Sequence, residues 1–231
     1  MRCPLCGGPG TPVNTQEGVG QCAGCGVRFR NPRPSRGAWR DARERQFAGA
    51  LTRFPPDALR QARAAAVAAM RGYHRGVAGK DAPLNAFGKR VLDVGCGLGF
   101  RLRECEKYGW TVTGLEPSAS AAATARALAL PVVQADWEAL PPGPFELILL
   151  EGVLEAVPEP AQVLAGVPAA LAPTGVVAVA VTAGADDAPL EAGHLYRFGE
   201  AGARRLCMEA GFPEPDVREE AGALRLWCAR T

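Results

Sequence analysis

The chain has 231 residues, 48% of them hydrophobic and 22% charged, which is ordinary globular material with length enough for a sizeable core. No apolar run could span a bilayer and no segment has the layout of a signal peptide, so no membrane partner is expected and the location read from the sequence is cytoplasmic. The net charge of +2 conceals halves of opposite sign: residues 1–90 carry 16 Lys and Arg against 5 Asp and Glu, and residues 91–231 carry 10 against 19. Such halves either attract one another or offer a basic face to an anionic partner, with a solvated arginine-rich surface as the plain alternative.

Four of the eight cysteines fall in the first 30 residues, as Cys3-Pro-Leu-Cys6 and Cys22-Ala-Gly-Cys25, each followed by glycine. Two C-x-x-C turns separated by fifteen residues match a site of four thiolates around Zn2+. Each turn aims two sulfurs at one point, and the polar stretch Val13–Gln21 between them suits a short hairpin. Disulfides or a redox pair are the alternatives, but the first needs an oxidising compartment and the second a strand-to-helix context that neither flank offers. With four protein ligands the metal would be structural. A piece of this size buries too little apolar surface to fold alone. The isolated Cys96, Cys105, Cys207 and Cys228 read as small buried apolar residues.

Pro32 and Pro34 enforce an extended exit from this module. Residues 37–52 are arginine-rich, with Trp39 and Phe47 as apolar anchors. Pro55-Pro56-Asp57 reads as a helix start, and Ala58–Tyr73 is nearly continuous helix former. The region should be mostly helical and, by position, could cover the mouth of a ligand site. His74, one of two histidines, reads as a surface residue near a helix C-terminus.

Val91, Leu92 and Val94 form a short apolar strand with Asp93 near its end, and Gly95, Gly97 and Gly99 follow at strict alternation. The pattern predicts a buried strand, a tight turn that lets backbone N–H groups approach a ligand, and then a helix over 101–108. Strands are expected at 110–115, 131–134, 145–150 and 175–182, helices at 119–129, 160–171 and 200–210, and a closing hairpin at 217–220 and 224–229 around Gly222. Alternating strands and helices mean a mostly parallel α/β sheet, whose ligands bind beyond the C-terminal strand ends. Asp93, Glu116 and Asp136 lie at the ends of three consecutive strands.

Residues 88–230 resemble a class I S-adenosylmethionine-dependent methyltransferase, of the type 11/12 kind. Leu92-Asp93-Val94-Gly95-Cys96-Gly97-Leu98-Gly99 is similar to that family's first motif. The stretch 145–160 resembles a segment that usually reads Leu-Glu-His-Val-Pro-Asp-Pro, with Ala156 here at the histidine position. His194-Leu195-Tyr196-Arg197-Phe198 resembles the H-L-Y-x-F segment before the last large helix. The cysteine pairs followed by Asn31-Pro-Arg-Pro-Ser35 resemble the start of bacterial methyltransferases found near sugar and polysaccharide genes.

The resemblance implies a Rossmann-like fold with a mixed, mostly parallel seven-stranded sheet. It divides the chain into a zinc-ribbon-like module (1–34), a helical linker or lid (35–87) and a methyltransferase domain (88–231). It implies that S-adenosylmethionine is the methyl donor and S-adenosylhomocysteine the product. Asp93 would hold the methionine amino group, and Gly95, Cys96, Gly97 and Gly99 would pack their backbone against the methionyl and ribose part. Glu116, followed by Pro117, would take the ribose hydroxyls. Asp136 would take the adenine amino group with Trp137 near the ring, and Glu151 and Gly152 would border the methionyl end. His194 and Tyr196 are the candidates beside the substrate, with helix-start packing as the other reading of each.

The expected acceptor is a small molecule, such as a sugar or another metabolite. One alternative is a zinc-containing RNA methyltransferase that uses the basic N-terminal region, although that region offers few aromatics for base stacking. A non-catalytic zinc-ribbon interaction protein is another.

Overall fold

The structure is a computed structural model that describes residues 1–48, 57–77, 87–182, 190–220 and 223–230. Pro55 and Pro56, read as a helix start, and Gly222, read as the hairpin turn, lie outside the described residues.

The chain begins with three short strands, β1 (Gly10–Asn14), β2 (Val19–Cys22) and β3 (Arg28–Arg30), followed by helices α1 (Arg36–Phe47) and α2 (Ala58–Val77). Ser35 caps α1, its Oγ accepting from the Ala38 N–H at 3.2 Å. The α/β part then runs β4 (Arg90–Val94), α3 (Phe100–Lys107), β5 (Thr111–Glu116), α4 (Ala119–Ala127), β6 (Val132–Gln134), β7 (Phe145–Glu151), α5 (Pro160–Ala170) and β8 (Leu171–Thr182). It closes with β9 (Tyr196–Arg197), α6 (Glu200–Glu209), β10 (Asp216–Glu220) and β11 (Ala223–Ala229).

Seven strands form one sheet in the order β10-β11-β8-β7-β4-β5-β6, parallel from β8 through β6, with β11 and β10 added antiparallel. Both faces are covered, which explains the unbroken apolar run of β7. Leu147 and Leu149 join one core cluster with Met70 and Tyr73 of α2 and Leu102 of α3. Ile148 and Leu150 join the other with Val163 and Leu164 of α5 and Leu206 of α6. Gly72 lets α2 lie directly on β11, because a Cβ there would sit 1.7 Å from Trp227 Nε1.

A second sheet has the order β1-β2-β3-β9. Its last strand comes from more than 160 residues downstream, with Phe29 opposite Tyr196 and Arg28 opposite Arg197. The cysteine-bearing hairpin is thereby part of the same core as α5 and α6, through Val27, Phe29, Tyr196 and Phe198. Local sequence does not announce β9, since two residues carry no periodicity. Among the described residues no helix is long and apolar enough to cross a membrane.

Candidate functional site

The four N-terminal cysteines converge. Their Sγ atoms all lie within 4.8 Å of one another, with Cys3 to Cys25 at 3.7 Å and Cys6 to Cys22 at 3.4 Å. A tetrahedron with Zn–S bonds of about 2.3 Å has edges of about 3.8 Å, so the donor set and its spacing fit that ion. Backbone turns tie each pair: Gly7 N–H donates to Cys3 O, and Gly26 N–H to Cys22 O. The Gly24 N–H points at Cys22 Sγ at 3.3 Å, the kind of contact that stabilises a thiolate. None of the eight cysteines is in a disulfide.

The glycine turn, Glu116 and Asp136 lie together at the C-terminal edge of the parallel strands. Asp93 is fully buried, and burial pushes its carboxyl up against the opposing pull of Arg101. Arg101 Nη2 lies 3.0 Å from Asp93 Oδ1, its Nε lies 3.1 Å from Oδ2, and Nη2 also donates to Gly95 O at 3.2 Å. Burial also raises Glu116, whose carboxylate accepts from Gly97 N–H at 2.8 Å and Ser118 N–H at 2.9 Å. Those two bonds anchor the turn to the tip of β5. Gly99 caps α3 at φ 81, a conformation that disfavours side chains, and a Cβ there would meet Leu130 Cδ1 at 2.3 Å.

Helix α1 lies across these strand ends. Arg40 pairs with Asp136, and Glu44 accepts from Ser118 Oγ at 2.8 Å and Ser120 N–H at 3.1 Å. Arg43 is desolvated, which lowers its pKa against the opposing field of Glu116. Trp39 is buried, donates Nε1–H to Ala156 O at 2.7 Å, and meets Trp137 edge to face with ring centroids 5.1 Å apart. Arg36 reaches Glu138 and Glu159 at 2.9 and 2.6 Å. These basic residues of the N-terminal half therefore answer carboxylates of the acidic half, as mutual attraction of the two halves predicts.

Two spaces result. A cavity of about 390 Å3 lies between the glycine turn, α1 and α2, with Phe47, Gly97, Arg101, Glu151 and Gly152 in its walls. A narrow apolar slot of about 20 Å3 lies beside it, between Trp39, Leu115, Pro117 and Trp137. Asp93 and Glu116 are fully buried, and neither they nor Asp136 is among the residues that line these two spaces.

Glu151 and Gly152 line the large cavity, but the Glu151 carboxylate is held bidentately by Arg225 at 2.7 and 2.9 Å. His194 and Tyr196 line neither space. Tyr196 is 1% exposed, and its hydroxyl donates to Pro158 O at 2.7 Å and accepts from Arg33 at 2.9 Å, so it joins β9 to the loop after β7. His194 is partly buried, 3.8 Å from a Glu191 oxygen. Burial lowers its pKa against the opposing pull of Glu191, and Arg197 and Arg43 add to the lowering.

Sequence reasoning missed Arg101, Arg40, Arg43 and Trp39 as site residues. The arginine richness of 37–52 and the position of Trp39 as an apolar anchor signalled Arg40, Arg43 and Trp39, and nothing signalled Arg101. It also missed Glu155, which is 2% exposed, accepts from Thr182 N–H at 2.9 Å and is raised by burial.

A family model described as a methyltransferase domain matches residues 39–214, most of the chain. The ubiquinone biosynthesis O-methyltransferase of Thiobacillus denitrificans is 36% identical over 97 residues, covering 38% of this chain and 42% of that protein. The protein of the same name from Vibrio parahaemolyticus is 36% identical over 98 residues, with the same coverage. The chain thus spans less than half the length of these curated relatives.

Among solved structures, the 1,6-didemethyltoxoflavin-N1-methyltransferase of Burkholderia thailandensis superposes with a TM-score of 0.65 at 19% identity, over 96% of this chain and 99% of that one. An S-adenosylmethionine-dependent methyltransferase from Mesorhizobium loti gives 0.52 at 21% identity, over 64% and 94%. Those two likenesses are of fold. The chain belongs to the class I S-adenosylmethionine-dependent methyltransferases.

Proposed function

We propose that this chain transfers a methyl group from S-adenosylmethionine to a hydroxyl oxygen of a small organic molecule. The observation that carries the reading is the row of carboxylates Asp93, Glu116 and Asp136 at consecutive strand ends around the glycine turn. The O-methyltransferase relatives support oxygen as the acceptor atom.

When bound, S-adenosylmethionine supplies a methyl group on an already activated sulfonium. The chain's part is binding and alignment, which for a well-oriented pair is worth about 7–11 kcal/mol of barrier. Asp93 would hold the ammonium, in competition with the Arg101 guanidinium. Glu116 has acceptor sites left after its two backbone bonds and would take the ribose hydroxyls. Asp136 would take the adenine amine, in competition with Arg40. Trp137 and Pro117 would lie near the ring, and Gly95 through Gly99, with Cys96, would give the backbone cradle. Glu151 and Gly152 would border the methionyl end.

The slot beside Trp39 is too narrow for an adenine ring, so an adenine placed there would require α1 to move outward. An oxygen nucleophile loses a proton, and His194 is the group we assign to accept it, which requires the acceptor to reach beyond the two spaces described, since His194 lines neither. Tyr196 acts by packing. The cysteine site holds structural Zn2+.

Calorimetry with S-adenosylmethionine and S-adenosylhomocysteine tests the reading. Binding of both, abolished by Asp93→Ala, is the expected result, and no binding of either would overturn it.

A further inference from the structure

Beside the donor cavity, an adjoining stripe of α2 lines a second space of about 260 Å3 against the closing hairpin. A single water needs about 15 Å3 on the same kind of measure, so this space takes a small molecule. Three arginines contribute to its wall, Arg71 and Arg75 from α2 and Arg225 from β11, against one carboxylate, Glu220. The rest of the described lining is the apolar Ala64, Val67 and Ala68.

The arginines are not saturated. Arg225 is 6% exposed, and although its two terminal nitrogens hold Glu151, its Nε is buried with no hydrogen-bond partner among the described residues. Arg75 has both Nε and Nη2 buried and likewise without a partner. A buried guanidinium N–H with no acceptor costs free energy. The Arg75 guanidinium stacks 4.7 Å over the Trp227 ring, which holds its orientation. Three guanidinium groups around a small space, against one carboxylate, match an oxyanion.

We propose that this cavity binds a small organic oxyanion, a phosphate monoester or a carboxylate, with the anionic group on Arg71, Arg75 and Arg225 and its apolar body against Ala64, Val67 and Ala68. The site is not part of the donor cavity, but it touches its wall. Arg225 faces this space while its partner Glu151 lines the other, and the pair bridges β8 at Ala180, where the side chain is small. An anion drawn to Arg225 competes with Glu151 for the same guanidinium. Occupancy here therefore bears on the methionyl end of the neighbouring cavity.

The test uses phenyl phosphate, benzoate and inorganic phosphate as probes, measured by thermal shift and calorimetry on the full chain, with chloride at equal ionic strength as the reference. Phenyl phosphate is expected to bind more tightly than inorganic phosphate, because only it uses the apolar wall, and both should raise the melting midpoint above chloride. Benzoate separates a carboxylate preference from a phosphate preference. Arg71→Gln with Arg75→Gln should weaken phenyl phosphate by about tenfold or more. Glu220→Gln, which removes the one opposing charge, should tighten it. If the double variant does not fold, because Arg75 also packs on Trp227, Arg71→Gln alone on the exposed face of α2 carries the test.

Binding of S-adenosylmethionine by Arg71→Gln should be unchanged, so loss of the anion site reads separately from loss of the donor site. No shift over chloride with any probe, or a shift that both Arg71→Gln and Glu220→Gln leave untouched, would overturn the proposal.

Discussion

Arg101 grips Asp93 with two nitrogens at 3.0 and 3.1 Å inside the turn that would receive the methyl donor. Asp93 is wholly buried and Arg101 largely so, and removing one member of such a pair leaves an uncompensated buried charge, at a cost of about 3–5 kcal/mol. Arg101→Gln should therefore lower stability by about that much, and Asp93→Asn on the Arg101→Gln background should recover part of it. Urea unfolding of the parent, the two single variants and the double variant measures the coupling. If Asp93 takes the donor's ammonium, Asp93→Asn, alone or with Arg101→Gln, also abolishes S-adenosylmethionine binding in calorimetry.

Trp39 pins α1 to the body of the protein by one hydrogen bond and one edge-to-face ring contact. Trp39→Phe keeps most of the apolar contact and loses the bond to Ala156 O, worth about 1 kcal/mol. The expected outcome is a faster association rate for S-adenosylmethionine by stopped flow, with a small drop in melting midpoint. An unchanged association rate would count against α1 as the element that opens.

Glu155 gives a pH signature. Its pKa is raised from 4.5 by burial, so the folded state holds the proton more tightly than the unfolded chain. Its contribution is most favourable below pH 4.5 and is lost as pH rises from there through the folded value. Glu155→Gln should flatten that part of the stability profile, measured by denaturant unfolding across the range from about pH 4.5 to neutrality.

The cysteine site predicts one equivalent of bound zinc, released by a thiol reagent and scored with a metal dye. Apparent binding energies for such sites are about 10–16 kcal/mol at pH 7. Chelation should loosen β1 to β3 first and, because β3 pairs with β9, also raise hydrogen exchange at Tyr196 and Arg197. Exchange confined to residues 1–30 would mean that the module is independent of the domain it joins.

His194→Ala tests the assigned base. With a hydroxyl acceptor, turnover should fall about 100-fold or more, and the acid limb of the pH–rate profile, set by protonation of a histidine whose pKa lies below 6.5, should disappear. An unchanged profile would leave His194 with the packing role.

What the sequence determined by itself is what short-range chemistry dictates. The alternating glycines after Asp93, the cysteine pairs and the apolar runs of β4 and β7 each carry their own geometry, because backbone freedom, metal-ligand reach and side-chain period act over a few residues. The order of strands and helices followed, and with it the gathering of Asp93, Glu116 and Asp136 at neighbouring strand ends. Tertiary structure alone decided the partners. Arg40 and Asp136 lie 96 residues apart, Glu151 and Arg225 74, and Phe29 meets Tyr196 across the joint between the two sheets. No local pattern encodes such pairings, because charge carries no address and a two-residue strand no period. They leave Asp93 and Asp136, two of the acids in that row, paired with the chain's own arginines.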